Sequence, residues 1–258
     1  MKEFFDYLKK SGLYDNTAVV LYGDHYGISN TDAKYLAPIL GKDESQWSDL
    51  DNANLQRVPF MIHVPGMTDG YIDHTFGGEI DVAPTLEHLL GITTQRYIQF
   101  GQDLLSKQHE QIVAFRNKDW ITPQYASLSG RYWNVQTNQM ITEPTPELQK
   151  TLDSIQAAVN EKLDMSDSLN QKNLLRFYTP DGFKPVDANK FDYSKRATIK
   201  RLQEQNKTLG KASKSLFAKN GNKSTLSQYV TDAPEIHDEK TDSTRLMPRN
   251  ADDWSQSE

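Results

Sequence analysis

The run Thr17-Ala18-Val19-Val20-Leu21-Tyr22 constrains this chain more than any other stretch. It is apolar at successive positions and rich in β-branched residues, the pattern of a strand buried on both faces in a parallel sheet. It stops at Gly23-Asp24-His25-Tyr26-Gly27, which sets a carboxylate beside an imidazole at the strand's carboxyl end. In open α/β sheets ligands collect at that end. A carboxylate oxygen next to an imidazole nitrogen suits Mn, Mg or Zn, and the glycines let the backbone turn tightly and approach a bound group. Asp24 and His25 are therefore the candidate metal ligands. The competing reading of the same residues is a surface turn with a capping Asp and a solvated His.

Around this strand the pattern is that of an α/β chain. Residues 2–11 place Phe4, Phe5 and Leu8 on one helical face, and Gly12 is the stop. Residues 30–56 are polar and read as a long loop with short helical pieces. Arg57-Val58-Pro59-Phe60-Met61-Ile62-His63-Val64 reads as a second buried strand closed by Pro65-Gly66, with His63 as a hydrogen-bonded structural histidine near its end. In Asp81-Val82-Ala83-Pro84-Thr85-Leu86, Asp81 reads as the N-cap of a helix that buries Val82, Leu86, Leu89 and Leu90. A strand at 112–117, a hairpin-like region at 120–133 and a short strand at 134–141 suggest a small antiparallel sheet. Residues 145–165 form the clearest helix: Thr145 caps it, Pro146 takes the first turn, and Leu148, Leu152, Ile155, Val159 and Leu163 make the core stripe.

Composition then sets limits. A mean hydropathy of −0.71 with 36% hydrophobic residues is low for a wholly packed chain of 258 residues. The polar excess falls beyond residue 187, where apolar periodicity fades. Residues 190–223 carry ten Lys and Arg against Asp192 and Glu204, and residues 224–258 reverse the sign. This part reads as a disordered charged tail, whose basic half is suited to anionic wall polymer or lipid headgroups. A net charge of −6 argues against general nucleic-acid binding, and with no cysteine there is neither a disulfide framework nor a Cys-based site. The first residues do not read as a signal peptide, and no apolar run is long enough to span a bilayer.

Three segments, in order, resemble the alkaline phosphatase/sulfatase superfamily: the strand ending in Gly23-Asp24-His25, the strand Val58-Pro59-Phe60-Met61-Ile62-His63-Val64-Pro65-Gly66, and the helix opening Ile80-Asp81-Val82-Ala83-Pro84-Thr85. More narrowly, Tyr22 to Ser29, Gly77-Gly78-Glu79-Ile80-Asp81, Phe115-Arg116-Asn117 and Leu174-Leu175-Arg176-Phe177-Tyr178 resemble the lipoteichoic acid synthase family, over roughly residues 1–185. The resemblance implies an α/β fold: the C-terminal portion of a sulfatase-like sandwich with a mainly parallel sheet, a small antiparallel subdomain and a disordered tail. The corresponding division is 1–110, 111–186 and 187–258.

The resemblance also implies a chemistry, on the outer face of the cell membrane. A Thr nucleophile attacks phosphatidylglycerol at a site holding Mn²⁺ (or Mg²⁺), and the glycerol phosphate passes to a growing polyglycerolphosphate chain. Of the family's metal ligands only Asp24 and His25 match. The nucleophilic Thr, a Glu ligand and the membrane helices precede that motif in the family, whereas 23 residues precede Asp24 here. The expectation is a C-terminal part, from a truncated gene product or one half of a split enzyme. With two ligands of about four, it should be inactive alone. The alternatives are a sulfatase or phosphodiesterase of the same superfamily, and a non-catalytic module that binds wall polymer.

Overall fold

The computed structural model describes residues 1–232 except Gly27, Gln95, Ala188 and Asn222. The part of the expected tail at 233–258 lies outside the described residues. The chain is mixed α/β and its described residues divide into two compact units, one from residues 1–20, 61–70 and 184–232, the other from 21–60 and 71–183.

The second unit is organised by an antiparallel meander of β3 (Val113–Ala114), β4 (Trp120–Ile121), β5 (Tyr125–Leu128), β6 (Arg131–Asn134) and β7 (Gln139–Ile141), each paired with the next. The turns are readable in the sequence. Ser129-Gly130, with φ of 52° and 73°, is the two-residue connection whose twist suits a hairpin, and it sets Leu128 opposite Arg131. Thr122 closes the preceding turn, its hydroxyl accepting from the Tyr125 amide at 3.0 Å.

Successive side chains point to opposite faces of a sheet, and both faces here are covered. On one lies α4 (Pro146–Gln171), whose Leu152 and Val159 pack on Trp120, Tyr125 and Tyr132. On the other lies α2 (Asp49–Leu55), whose Leu50 and Ala53 pack on Ile121, Ala126, Leu128 and Trp133. Trp120 is fully buried and donates its indole N–H to Gln156 Oε1 at 3.0 Å. The α4 helix starts where its cap and proline place it, with the Leu148 amide 3.2 Å from Thr145 Oγ1. It continues past the expected end at 165 because no glycine or proline stops it before Gln171.

Helix α2 opens with a reciprocal cap: Ser48 Oγ accepts the Asp51 amide, and Asp51 Oδ2 accepts the Ser48 amide at 2.9 Å. Burial opposes ionisation of Asp51, but the Lys42 ammonium and the Ser48 amide and hydroxyl outweigh it, holding the carboxyl below its ordinary range.

The first unit contains α1 (Lys2–Ser11), closed by Gly12 at φ 74° and burying Leu8. Its aromatic side is occupied by later chain: Tyr7 Oη lies 2.6 Å from Thr225 Oγ1, and the Tyr7 ring meets Tyr229 edge-on at 5.5 Å. Glu3 accepts the Asp232 amide at 3.0 Å, which with the neighbouring hydroxyl holds its carboxyl down at about 2.

Three expectations change. First, β1 (Val19–Tyr22) and β2 (Phe60–His63) form a two-stranded sheet, and the five-stranded sheet is antiparallel, so no broad parallel sheet is found among the described residues. A parallel neighbour needs a long crossover connection, whereas the described strands from β3 to β7 are joined in succession as antiparallel pairs. Second, the segment read as disordered tail contains α5 (Lys195–Leu209) and α6 (Leu216–Lys219). The polar composition of this segment hid a capped helix of good helix formers, begun by Ser194, whose hydroxyl accepts the Ala197 amide at 3.3 Å. Third, in α3 (Val82–Leu89) the buried residue is Thr85, while Leu89 and Leu90 are exposed. The loop at 101–104 lies against the Asp81–Thr85 side, and a Cβ on Gly101 would stand only 1.9 Å from the Ile80 carbonyl oxygen.

Candidate functional site

The turn after β1 is possible only with glycine. The Gly23 amide donates to the Pro59 carbonyl at 3.0 Å, and a Cβ there would come within 2.7 Å of Val58 Cβ. The chain then bends, and Asp24 and His25 both project as exposed side chains. His25 Nδ1 lies 2.5 Å from the Tyr26 carbonyl oxygen, and the imidazole stacks on the Tyr26 ring at 4.4 Å and 25°. A carbonyl oxygen only accepts, so Nδ1 carries the proton and Nε2 of the neutral ring keeps its lone pair. Metal-bound histidines are held in this way by a second contact on the non-ligating nitrogen. Asp24 has no hydrogen-bond or ion-pair partner among the described residues, which leaves both its oxygens open.

The donor chemistry of this pair fits a hard or borderline divalent cation. The pair is not a full coordination set, because no group of three or more His, Cys, Asp or Glu side chains gathers to hold a metal among the described residues. Its chemical capacity is to supply one carboxylate oxygen and one imidazole nitrogen to an ion completed by other donors.

His63 does not take the hydrogen-bonded role expected of it. Its ring stacks on Tyr14 at 4.4 Å and 20°, and its Nε2 is buried without a hydrogen-bond partner among the described residues. The pairing is ring on ring because the side chain leaves β2 beside an aromatic rather than beside a backbone polar group.

Asp81 is also not the helix cap it resembles. Its own backbone is helical, at φ −86° and ψ −9°, and its side chain makes no bond to the first amides of α3. The carboxylate reaches back to the Gly78 amide at 2.9 Å and across to the Gln102 amide at 2.7 Å. Beside it lies His109, with Nε2 at 3.4 Å from Oδ2 and side chains only 4% and 7% exposed. His109 Nδ1 accepts the Gln111 amide at 3.0 Å, so the neutral ring carries its proton on Nε2, facing Asp81. Thr85 completes the knot, donating to the Asp81 carbonyl at 2.6 Å and accepting from the Leu104 amide at 3.0 Å. Sequence reasoning missed His109 altogether, and no pattern pointed to it: it lies in a polar stretch, Lys107 to Gln111, without periodicity. With every polar atom satisfied, this cluster ties a loop to α3 and offers no open ligand position.

Comparison with known families gives a similarity: residues 1–92 match the family model described as Sulfatase. That match contains the β1 strand end and its Asp24–His25 pair. More narrowly, about three quarters of the chain is similar to lipoteichoic acid synthases. It is 46% identical over 195 residues to lipoteichoic acid synthase 2 of Bacillus subtilis (strain 168), covering 76% of this chain and 29% of that protein. Lipoteichoic acid synthase 1 of the same organism is 44% identical over 200 residues, covering 78% and 30%. The lipoteichoic acid synthase of Staphylococcus aureus (strain USA300) is 38% identical over 193 residues, covering 75% and 29%. The chain thus spans less than a third of the length of these curated relatives. Among the described residues no helix is long and apolar enough to cross a membrane.

Proposed function

We infer that this chain is the C-terminal part of a lipoteichoic-acid-synthase-like phosphoglycerol transferase, in which Asp24 and His25 furnish two ligands to Mn²⁺ (or Mg²⁺). The observation that carries the reading is the β1 end, where the Tyr26 carbonyl fixes the His25 ring with Nε2 free and Asp24 stands unpaired beside it. When bound, the cation would offset charge on a phosphoryl group. The protein's own part is to hold the imidazole in one tautomer and to keep the carboxylate open. The donor is phosphatidylglycerol, the acceptor is polyglycerolphosphate, and the place of action is the outer membrane face. On this reading the Thr nucleophile and the remaining ligands lie outside the 258 residues of this sequence, which covers 29% of the relative's length. On this reading residues 1–110 are the sulfatase-like part, 111–186 the α+β subdomain and 187–258 the charged tail. Alone, the chain is inactive.

The test is calorimetric titration of the purified chain with Mn²⁺ beside an Asp24→Ala, His25→Ala variant, together with turnover of a phosphatidylglycerol analogue. Weak binding that disappears in the variant, without turnover, is the expected outcome. Binding indifferent to both substitutions would refute the ligand assignment, and turnover by the chain alone would refute its inactivity. The Sulfatase match also favours a second reading, a sulfatase or phosphodiesterase. The two part at the nucleophile: release of sulfate from an aryl sulfate by a complex with the upstream half would decide for the second.

A further inference from the structure

The stretch 190–214 carries eight Lys and Arg against Asp192 and Glu204, a net of +6 within a chain whose total is −6. Its helix α5 distributes those charges unevenly. Ile199, Leu202, Asn206 and Leu209 recur at helical spacing and share one side, while Arg196, Lys200, Gln203 and Lys207 share the adjoining side. Arg201 flanks the apolar side from the other direction, and Glu204, the one acid in the helix, falls on the far side from the leucines. Leu202 and Leu209 are 53% and 54% exposed, so the apolar side is not consumed by packing. Arg196, Lys200 and Lys207 are exposed and make no ion pair among the described residues.

The approach to the helix adds aromatic surface of the same kind. Tyr193 is 69% exposed, and Phe191 lies against it at 4.3 Å between ring centroids. Arg201 holds this corner, its guanidinium 4.6 Å above the Phe191 ring and its Nη1 donating to the Asp192 carbonyl at 2.9 Å. Asp192 accepts the Ser194 amide at 2.8 Å in a local turn ahead of the helix.

We propose that α5 and its Phe191–Tyr193 approach lie in the surface of an anionic lipid bilayer, with Leu202, Leu209 and Tyr193 at the headgroup boundary. Arg196, Lys200 and Lys207 then reach outward to lipid phosphates. A soluble polyanion would use the charge alone and leave the leucines and aromatic rings in water. A bilayer uses both, because long basic side chains bury their stems beside the apolar stripe while their heads meet the phosphates. This surface belongs to neither Asp24 nor His25 and stands apart from the transferase reading.

The test is sedimentation of the full chain with vesicles of phosphatidylcholine alone and of equimolar phosphatidylcholine and phosphatidylserine. The serine lipid keeps the anionic headgroup distinct from the proposed donor lipid, so this result and the transferase reading can fail separately. Binding is expected only with the anionic vesicles and should weaken with added salt. Lys200→Ala with Lys207→Ala should lower the partition constant about thirtyfold, at about fivefold per lost charge. Leu202→Ser with Leu209→Ser should lower it at least about tenfold with the charge unchanged. Circular dichroism checks that each variant keeps its helix. No sedimentation with the anionic vesicles would overturn the proposal. So would full binding by the leucine variant, and if soluble polyglycerolphosphate then displaced that variant, the surface would be assigned to a wall polymer instead.

Discussion

Replacing Asp81 with alanine should destabilise this protein far more than removal of an ordinary helix cap. In the folded chain its carboxylate accepts the Gly78 amide at 2.9 Å and the Gln102 amide at 2.7 Å, and it faces His109 Nε2 at 3.4 Å. Alanine leaves two half-buried amides and the His109 ring N–H without that acceptor. A hydrogen bond to a charged group contributes about 1.5–3 kcal/mol, so the two amides alone set the loss near 4 kcal/mol. For a chain of this size that corresponds to a fall in Tm of about 10 °C, whereas a lost N-cap costs about 1 kcal/mol. Asp81→Asn should fall between wild type and alanine, since it keeps one acceptor oxygen but turns an NH₂ toward a donor. Thermal denaturation measures the total. Hydrogen exchange locates it, because the Gly78 and Gln102 amides should lose protection in the alanine variant while those of β5 and β6 lose little. A shift of only about 2 °C with unchanged exchange at both amides would refute the account and leave the loop held by apolar contact alone.

Two further outcomes follow from the same geometry. Tyr26→Ala removes the ring stacked on His25 at 4.4 Å, and calorimetry should show Mn²⁺ affinity falling by about tenfold, at the low end of outer-shell effects, with the fold unchanged. Because Lys42 and Ser48 hold the Asp51 carboxyl below its unfolded value, its contribution to stability is present above about pH 4 and lost as pH falls through the folded value. Urea midpoints measured from pH 6 downward should show this loss, and Asp51→Asn should be less stable at pH 6 with a flatter acid limb.

How much of this could be read in advance depended on whether the cause lay within a few residues. Thr145, Pro146 and the stripe from Leu148 to Leu163 announce α4, because cap, first turn and period are all local. The strand ending at Gly23 is equally plain, since a β-branched run and a glycine need no distant partner to be recognised. The antiparallel meander was legible as a hairpin-like region at 120–133 with short strands at 112–117 and 134–141 on either side. What escaped was set by long-range contact. Asp81 has the sequence of a cap and the job of a tie, because the Gln102 amide and His109 arrive from more than twenty residues away. The leucines at 89 and 90 fit a buried stripe by period, yet Thr85 takes the buried position because Leu104 bonds to it. Beyond residue 187, averaging over polar composition concealed α5, whose apolar positions are few but correctly spaced.

The same contrast separates the candidate chemistry from the scaffold. The His25 ring is held by the carbonyl and ring of the very next residue, and Asp24 by nothing else described. Such a pair can be altered without disturbing a buried contact, so loss of metal binding in its variants reads as loss of ligands rather than of fold. Asp81 is the reverse case: an acid that reads in sequence as a helix cap, and in the fold is enclosed and fully bonded. An acidic side chain that folding leaves unpaired at a strand end is the stronger claim to chemistry, and of the two aspartates only Asp24 meets it.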